Sequence, residues 1–224
     1  MHIGLIGGIG PGATDHYYRG LIERHARAHI PLELTIAHAD VREMARNLDN
    51  GDARRQAAIF ARLVERLAAA GARLAAITSV GGHFCVNELA AIARLPVLSL
   101  VPLIDAEIRR RKLSAVGIIG TRTVMETRLY GAISSARVIL PMGGALEEVH
   151  RCYLEMALAG EVTEAQRSTF FSVGRALCAE GAEAIVLGGT DLFLAFRRSP
   201  EPGFPTIDCA DLHVDALYEK SISG

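Results

Sequence analysis

The sequence contains no metal or redox motif. Its four cysteines stand at 85, 152, 178 and 209, and no two are spaced as CxxC. That argues against a zinc site and against a thioredoxin-type pair, so neither a metal nor a cofactor is expected. An even cysteine count does not by itself imply disulfides in a chain of 224 residues. Lysine is scarce: all but two of the 24 basic residues are arginine, and residues 113–219 contain no lysine. Neither sign of charge is in excess, with 24 basic against 25 acidic residues, so the basic footprint that nucleic-acid binding needs is missing. No apolar run approaches the roughly 20 residues of a membrane helix. The start, Met1-His2-Ile3-Gly4, has no basic region before an apolar run and does not read as a signal peptide. The expectation is a soluble cytoplasmic protein with no nucleic-acid or membrane partner. Half of the residues are apolar, enough for a sizeable core in one large domain or two small ones.

The chain alternates strand-like and helix-like segments. His2 to Gly7 reads as a buried strand, followed by the glycine loop Gly7-Gly8-Ile9-Gly10-Pro11-Gly12 and a helix through Tyr17, Tyr18, Leu21 and Ile22. Leu32 to Ala37 is a second strand, and residues 47–52 read as a polar turn. A long helix follows on Ile59, Phe60, Leu63, Val64 and Leu67, with Gly71 placed to end it. Leu74 to Thr78 is a third strand that opens into Ser79-Val80-Gly81-Gly82-His83, and a fourth strand covers Pro96 to Val101. The pattern then repeats. Strands are expected at Ala115–Ile119, Ala136–Leu140, Ala184–Leu187 and Phe204–Asp208, with helices between them.

The two halves match. Gly4-Leu5-Ile6-Gly7 is similar to Gly117-Ile118-Ile119-Gly120 at an offset of 113. Gly71-Ala72 matches Gly181-Ala182 at 110, and Leu95-Pro96-Val97 matches Phe204-Pro205-Thr206 at 109. Three ordered anchors at nearly one offset imply two copies of one βαβ lobe. The expected class is α/β: two pseudo-symmetric Rossmann-like, flavodoxin-like lobes with parallel sheets facing across a cleft. Lobe 1 is residues 1–100 plus 208–224, and lobe 2 is residues 101–207. Parallel α/β sheets place ligands beyond the carboxyl ends of their strands. The turn after the third strand and its counterpart Leu187-Gly188-Gly189-Thr190-Asp191 are therefore the candidate site.

These residues resemble the aspartate/glutamate racemase family of cofactor-independent amino-acid racemases. The opening Gly4-Leu-Ile-Gly-Gly-Ile-Gly-Pro11 with Ala13-Thr14 and Tyr17-Tyr18 is similar to the family's GIIGGMGP-x-AT…YY. Val116-Gly-Ile-Ile-Gly-Thr121 with Thr123 and Met125-Glu126 is similar to VGLLGT-x-x-TME. Gly181-Ala182 through Gly188-x-Thr190-Asp191-Leu192 is similar to GA…LGCTEL, and Pro205-x-x-Asp208 with His213 is similar to the closing P-x-x-D…H. The resemblance implies an amino-acid racemase acting on a small amino acid or dicarboxylate, without cofactor and as a homodimer. In the family one thiol removes the α-proton and an opposing thiol delivers one. The resemblance aligns those thiols with Ser79 and Gly189, so both are absent here. A serine hydroxyl is a far weaker acid than a thiol of pKa near ~8.5 and needs a base beside it.

The candidate catalytic set is Ser79, His83, Gly189, Asp208 and His213. His83 is read as a base for Ser79 if the turn becomes helical at once, against a capping role. His213 is read as orienting a neighbour or the ligand, against direct acid–base work. Cys85 and Cys209 lie near the site in sequence and read as small buried hydrophobes. The substrate-binding set is Gly8, Gly10, Gly81, Gly82, Thr121, Thr123, Thr190 and Asp191. Arg42 and Arg46 are candidates to clamp a distal carboxylate, against an ordinary surface role. A dinucleotide reading competes, because Gly8-x-Gly10-x-x-Ala13 follows a strand and Asp40 ends the next one. Three functions follow: a racemase-type isomerase with a non-standard acid–base set, one-base carbanion chemistry such as decarboxylation, or a binder that has lost the reaction.

Overall fold

The computed structural model describes residues 1–197 and 201–223. Residues 198–200, within the expected second lobe, and residue 224, at the end of the expected first, lie outside the described residues. The chain divides into two compact units, Met1–Ser99 with His213–Gly224 and Leu100–Leu212.

The first unit is built on four parallel strands in the order β2-β1-β3-β4, with β1 Ile3–Gly7, β2 Leu34–His38, β3 Leu74–Ile77 and β4 Val97–Leu98. β1 and β3 are buried at every residue, and they are apolar throughout because helices cover both faces of such a sheet. α1 (Pro11–Ala28) starts with a proline whose missing N–H costs nothing at that position. α3 (Ala53–Ala69) buries Phe60, Val64 and Leu67 against Ile6, Ala75 and Ile77. The polar stretch read as a turn at 47–52 is shorter than expected. A helix, α2 (Val41–Asp49), precedes it, because the Asp40 carboxylate accepts from the N–H groups of Arg42 (2.7 Å) and Glu43 (3.2 Å) and nucleates the first turn. α4 (Val86–Ile92) completes this side.

The second unit repeats the order as β6-β5-β7-β8, with α5 (Val101–Arg110) preceding it. Its strands are β5 Ala115–Gly120, β6 Arg137–Ile139, β7 Ala184–Gly188 and β8 Thr206–Asp208. α6 (Arg122–Glu126), α7 (Gly144–Ala159), α8 (Glu164–Ala179) and α9 (Phe193–Phe196) connect them. α8 begins in a capping box of Thr163 and Gln166. α10 (Cys209–Ser223) closes the chain and belongs to the first unit from His213 onward. The two strand orders are identical, as the repeat at offsets near 110 implies. Strand ends coincide with the sequence reading or differ from it by up to three residues; β4 keeps only Val97–Leu98 of the segment expected at 96–101.

Candidate functional site

The first unit presents the end of β1, the end of β3 and His213. Gly8 has a left-handed φ of 88° and could not hold a Cβ, which would lie 2.3 Å from His38 Nδ1. Its N–H is expected to bind a carboxylate, yet it donates to Thr14 Oγ1 at 2.9 Å. Thr14 Oγ1 in turn donates to the carbonyl of Gly10 at 3.2 Å. The loop is therefore held by its own helix. Asp40, the acid that a ribose would need, is the cap of α2 and its carboxyl is held below its usual range by the Glu43 and Arg42 amides. That removes the main support for the dinucleotide reading. Arg42 and Arg46 are exposed on α2.

The turn after β3 does become helical at once, as a 3-10 turn over Gly81–Cys85. His83 is brought back to residue 79, but to its backbone: Nδ1 lies 2.7 Å from the Ser79 carbonyl oxygen. A carbonyl only accepts, so Nδ1 carries the proton and Nε2 is the basic nitrogen. The expected bond from His83 to the Ser79 hydroxyl is thus replaced by one to the carbonyl. The hydroxyl accepts the Gly82 N–H at 3.4 Å. Both residues are buried, and burial pushes the His83 pKa down to about 4, against the raising effect of the Ser79 bond.

His213 stands edge-to-face with His83, ring centroids 5.9 Å apart. Its Nε2–H donates to the Leu98 carbonyl (3.1 Å) and its Nδ1 accepts from the Tyr17 hydroxyl (2.9 Å). It has no exposed surface, and both ring nitrogens are occupied. Burial, then the charge of His83, lowers its pKa to about 3. Tyr17 appears in the sequence only as part of a motif, and its role as His213's partner carried no signal of its own.

In the second unit, Thr121 caps α6 by accepting the Val124 N–H at 3.4 Å, and Thr123 is half-buried in its first turn. Asp208 caps α10, accepting from Ala210 (2.8 Å) and Asp211 (3.2 Å). The turn after β7 passes through Gly189 into a 3-10 turn, Thr190–Leu192. Thr190 is 1% exposed, and its Oγ1 has no hydrogen-bond partner among the described residues. Asp191 is also buried, and its Oδ2 accepts the Tyr153 hydroxyl at 3.2 Å.

The cysteines near these turns are not activated. Burial and then Glu88 push the Cys85 thiol up to about 12, and burial and then Asp208 raise Cys209 well above its usual value. Cys85 Sγ donates to the Gly82 carbonyl at 3.5 Å. No group of three or more potential metal ligands is found among the described residues, and no helix among them is long and apolar enough to cross a membrane.

Comparison with known proteins follows the same lines. A proposed Asp/Glu racemase of Yersinia pestis superimposes with a TM-score of 0.85 at 25% identity, covering 99% of this chain and 100% of that one. An aspartate racemase homologue of Pyrococcus horikoshii OT3 gives 0.79 at 24% identity, with 99% of each chain covered. An allantoin racemase of Klebsiella pneumoniae shares the fold at 0.63 and 14% identity, covering 100% of this chain and 88% of that one. The family model for Asp/Glu/Hydantoin racemase matches residues 6–217. By that match, which spans both units, the chain belongs to the Asp/Glu/hydantoin racemase family.

Proposed function

We propose that this protein is a racemase-type isomerase of a small amino acid or dicarboxylate, working without cofactor and with an acid–base set that contains no thiol at Ser79 or Gly189. The orphaned Thr190 hydroxyl carries the reading. Leaving a buried polar group unpaired costs on the order of 1–3 kcal/mol, which a ligand's carboxylate or ammonium would recover. Thr121, Thr123 and Asp191 would complete the contacts near it. In the first unit, His83 Nε2 is the base of this reading. Ser79, Gly81 and Gly82 shape the turn that holds it, Gly8 and Gly10 shape the loop beside it, and His213 fixes the ring from behind. Arg42 or Arg46 would take a distal carboxylate, and Asp208 sets the start of α10. A cytoplasmic homodimer belongs to the same reading; sedimentation would check the dimer.

A second reading is favoured by the chemistry of the first turn. The His83 pKa of about 4 makes a weak base, and Cys85 is held protonated. One-base carbanion chemistry or carboxylate binding without turnover fits such a site. Incubation in deuterated buffer with a panel of amino acids and dicarboxylates, followed by NMR, separates the readings. Exchange of the α-proton with loss of chirality supports the isomerase. Exchange with chirality kept, or release of carbon dioxide, supports one-base chemistry. Thermal stabilisation by a ligand with no turnover supports a binder. Neither turnover nor stabilisation by any of them would sink both readings.

A further inference from the structure

Gly189 has no side chain, yet the space in front of it is filled. A Cβ built on it would stand 2.2 Å from Tyr153 Cε2, 2.6 Å from Cζ and 2.8 Å from the hydroxyl oxygen. The φ of Gly189 is −159°, ordinary extended backbone, so conformation does not demand glycine there. The ring does. Tyr153 comes from α7 and is buried. Its hydroxyl donates to Asp191 Oδ2 at 3.2 Å. Swinging the ring aside would break that bond.

We infer that Tyr153 takes the place of the side chain missing at position 189 and closes this turn to a second acid–base group, so that chemistry at the ligand's α-carbon uses a single base. The inference rests on the second of the two readings above, one-base carbanion chemistry, and not on the isomerase reading. In the step, the base takes the α-proton. The C–H electron pair stays on the ligand as an enolate spread into its carboxylate, and the same protonated base returns a proton to the same face. In deuterated buffer the base trades its proton for a deuteron in between, so α-deuterium enters with configuration kept. Tyr153 does not replace the lost base. Burial and the charge of Asp191 hold its hydroxyl protonated, well above the usual tyrosine range. It is a positioning residue.

The test uses the full chain. Gly189→Ala adds only the Cβ and should lower Tm by about 2–10 °C, as overpacking does in a chain of this size. In Tyr153→Leu, which removes the colliding ring atoms, the same alanine should cost nothing further. A Gly189→Ala that is neutral in the parent chain, or equally costly in both backgrounds, overturns the inference. The stereochemical arm moves only if the turn matters to the reaction. The parent chain should exchange its ligand's α-proton with configuration kept, and Tyr153→Leu/Gly189→Cys should gain inversion at least tenfold over the parent. Inversion by the parent chain, or exchange without that gain, overturns it. A parent chain that exchanges no α-proton counts against the enzymatic reading instead, and the Tm comparison then decides this one.

Discussion

At the end of β3, hydroxyl, imidazole and amide groups bond to one another: Gly82 N–H to Ser79 Oγ, His83 to the Ser79 carbonyl, His213 to Leu98 and Tyr17. At the end of β7 the backbone takes the same course from strand into a 3-10 turn, but Thr190 Oγ1 bonds to nothing among the described residues, and a tyrosine ring fills the place of a side chain. The difference teaches that equal topology does not distribute polar satisfaction equally. The first turn is closed by its own groups, whereas the second leaves one hydroxyl for something else to meet.

The strongest way to break the comparison is at His213. His213→Ala removes the partner of Tyr17 and of the Leu98 carbonyl and opens a cavity, and should cost about 3–5 kcal/mol in chemical denaturation. A cost under about 1 kcal/mol would mean that the first turn is not held from behind. Gly189→Ala comes next, at about 1–3 kcal/mol by overpacking. Acid sharpens the contrast. His83 and His213, both in the first unit, have folded-state pKa values near 4 and 3, below the unfolded value of 6.5. Below that value the unfolded chain binds protons that the folded chain does not. Their neutral burial is therefore fully tolerated above about pH 6.5, and stability falls as the pH drops toward 4 and 3, by at most about 1.4 kcal/mol per pH unit for each ring. Hydrogen exchange at pH 5 should show the β1–β4 amides losing protection relative to pH 7 more than those of β5–β8; equal loss in both sheets would contradict this. The smallest effect is a matched pair. Thr78→Val loses the hydroxyl's bond to the Ile6 carbonyl (3.2 Å) and should cost about 1 kcal/mol, whereas Thr190→Val loses no bond and should leave stability unchanged or raised while weakening ligand binding. Equal costs for the two would show that the Thr190 hydroxyl is satisfied in solution.

The fold was legible because its signals are local and repeated. Apolar strands bounded by glycine and three anchors near one offset both act over short stretches of chain. α2 was missed because its start depends on one carboxylate, and Asp40 at a strand end reads equally well as a ligand acid. The turns could be placed but not their wiring. Whether His83 meets the hydroxyl or the carbonyl of residue 79 is decided by a single rotation of the turn, and composition does not encode it. Tyr153 lies 36 residues before Gly189 on a helix whose apolar spacing marks it only as core. Its importance exists only in three dimensions.

The Tyr153 ring also bears on how such a protein can change over generations. Any residue other than glycine that arrives at 189 brings a Cβ into that ring. A single substitution at 189 is therefore penalised, and a tolerated one requires a change at position 153 first. Glycine at 189 is thus held in place by a residue on another helix.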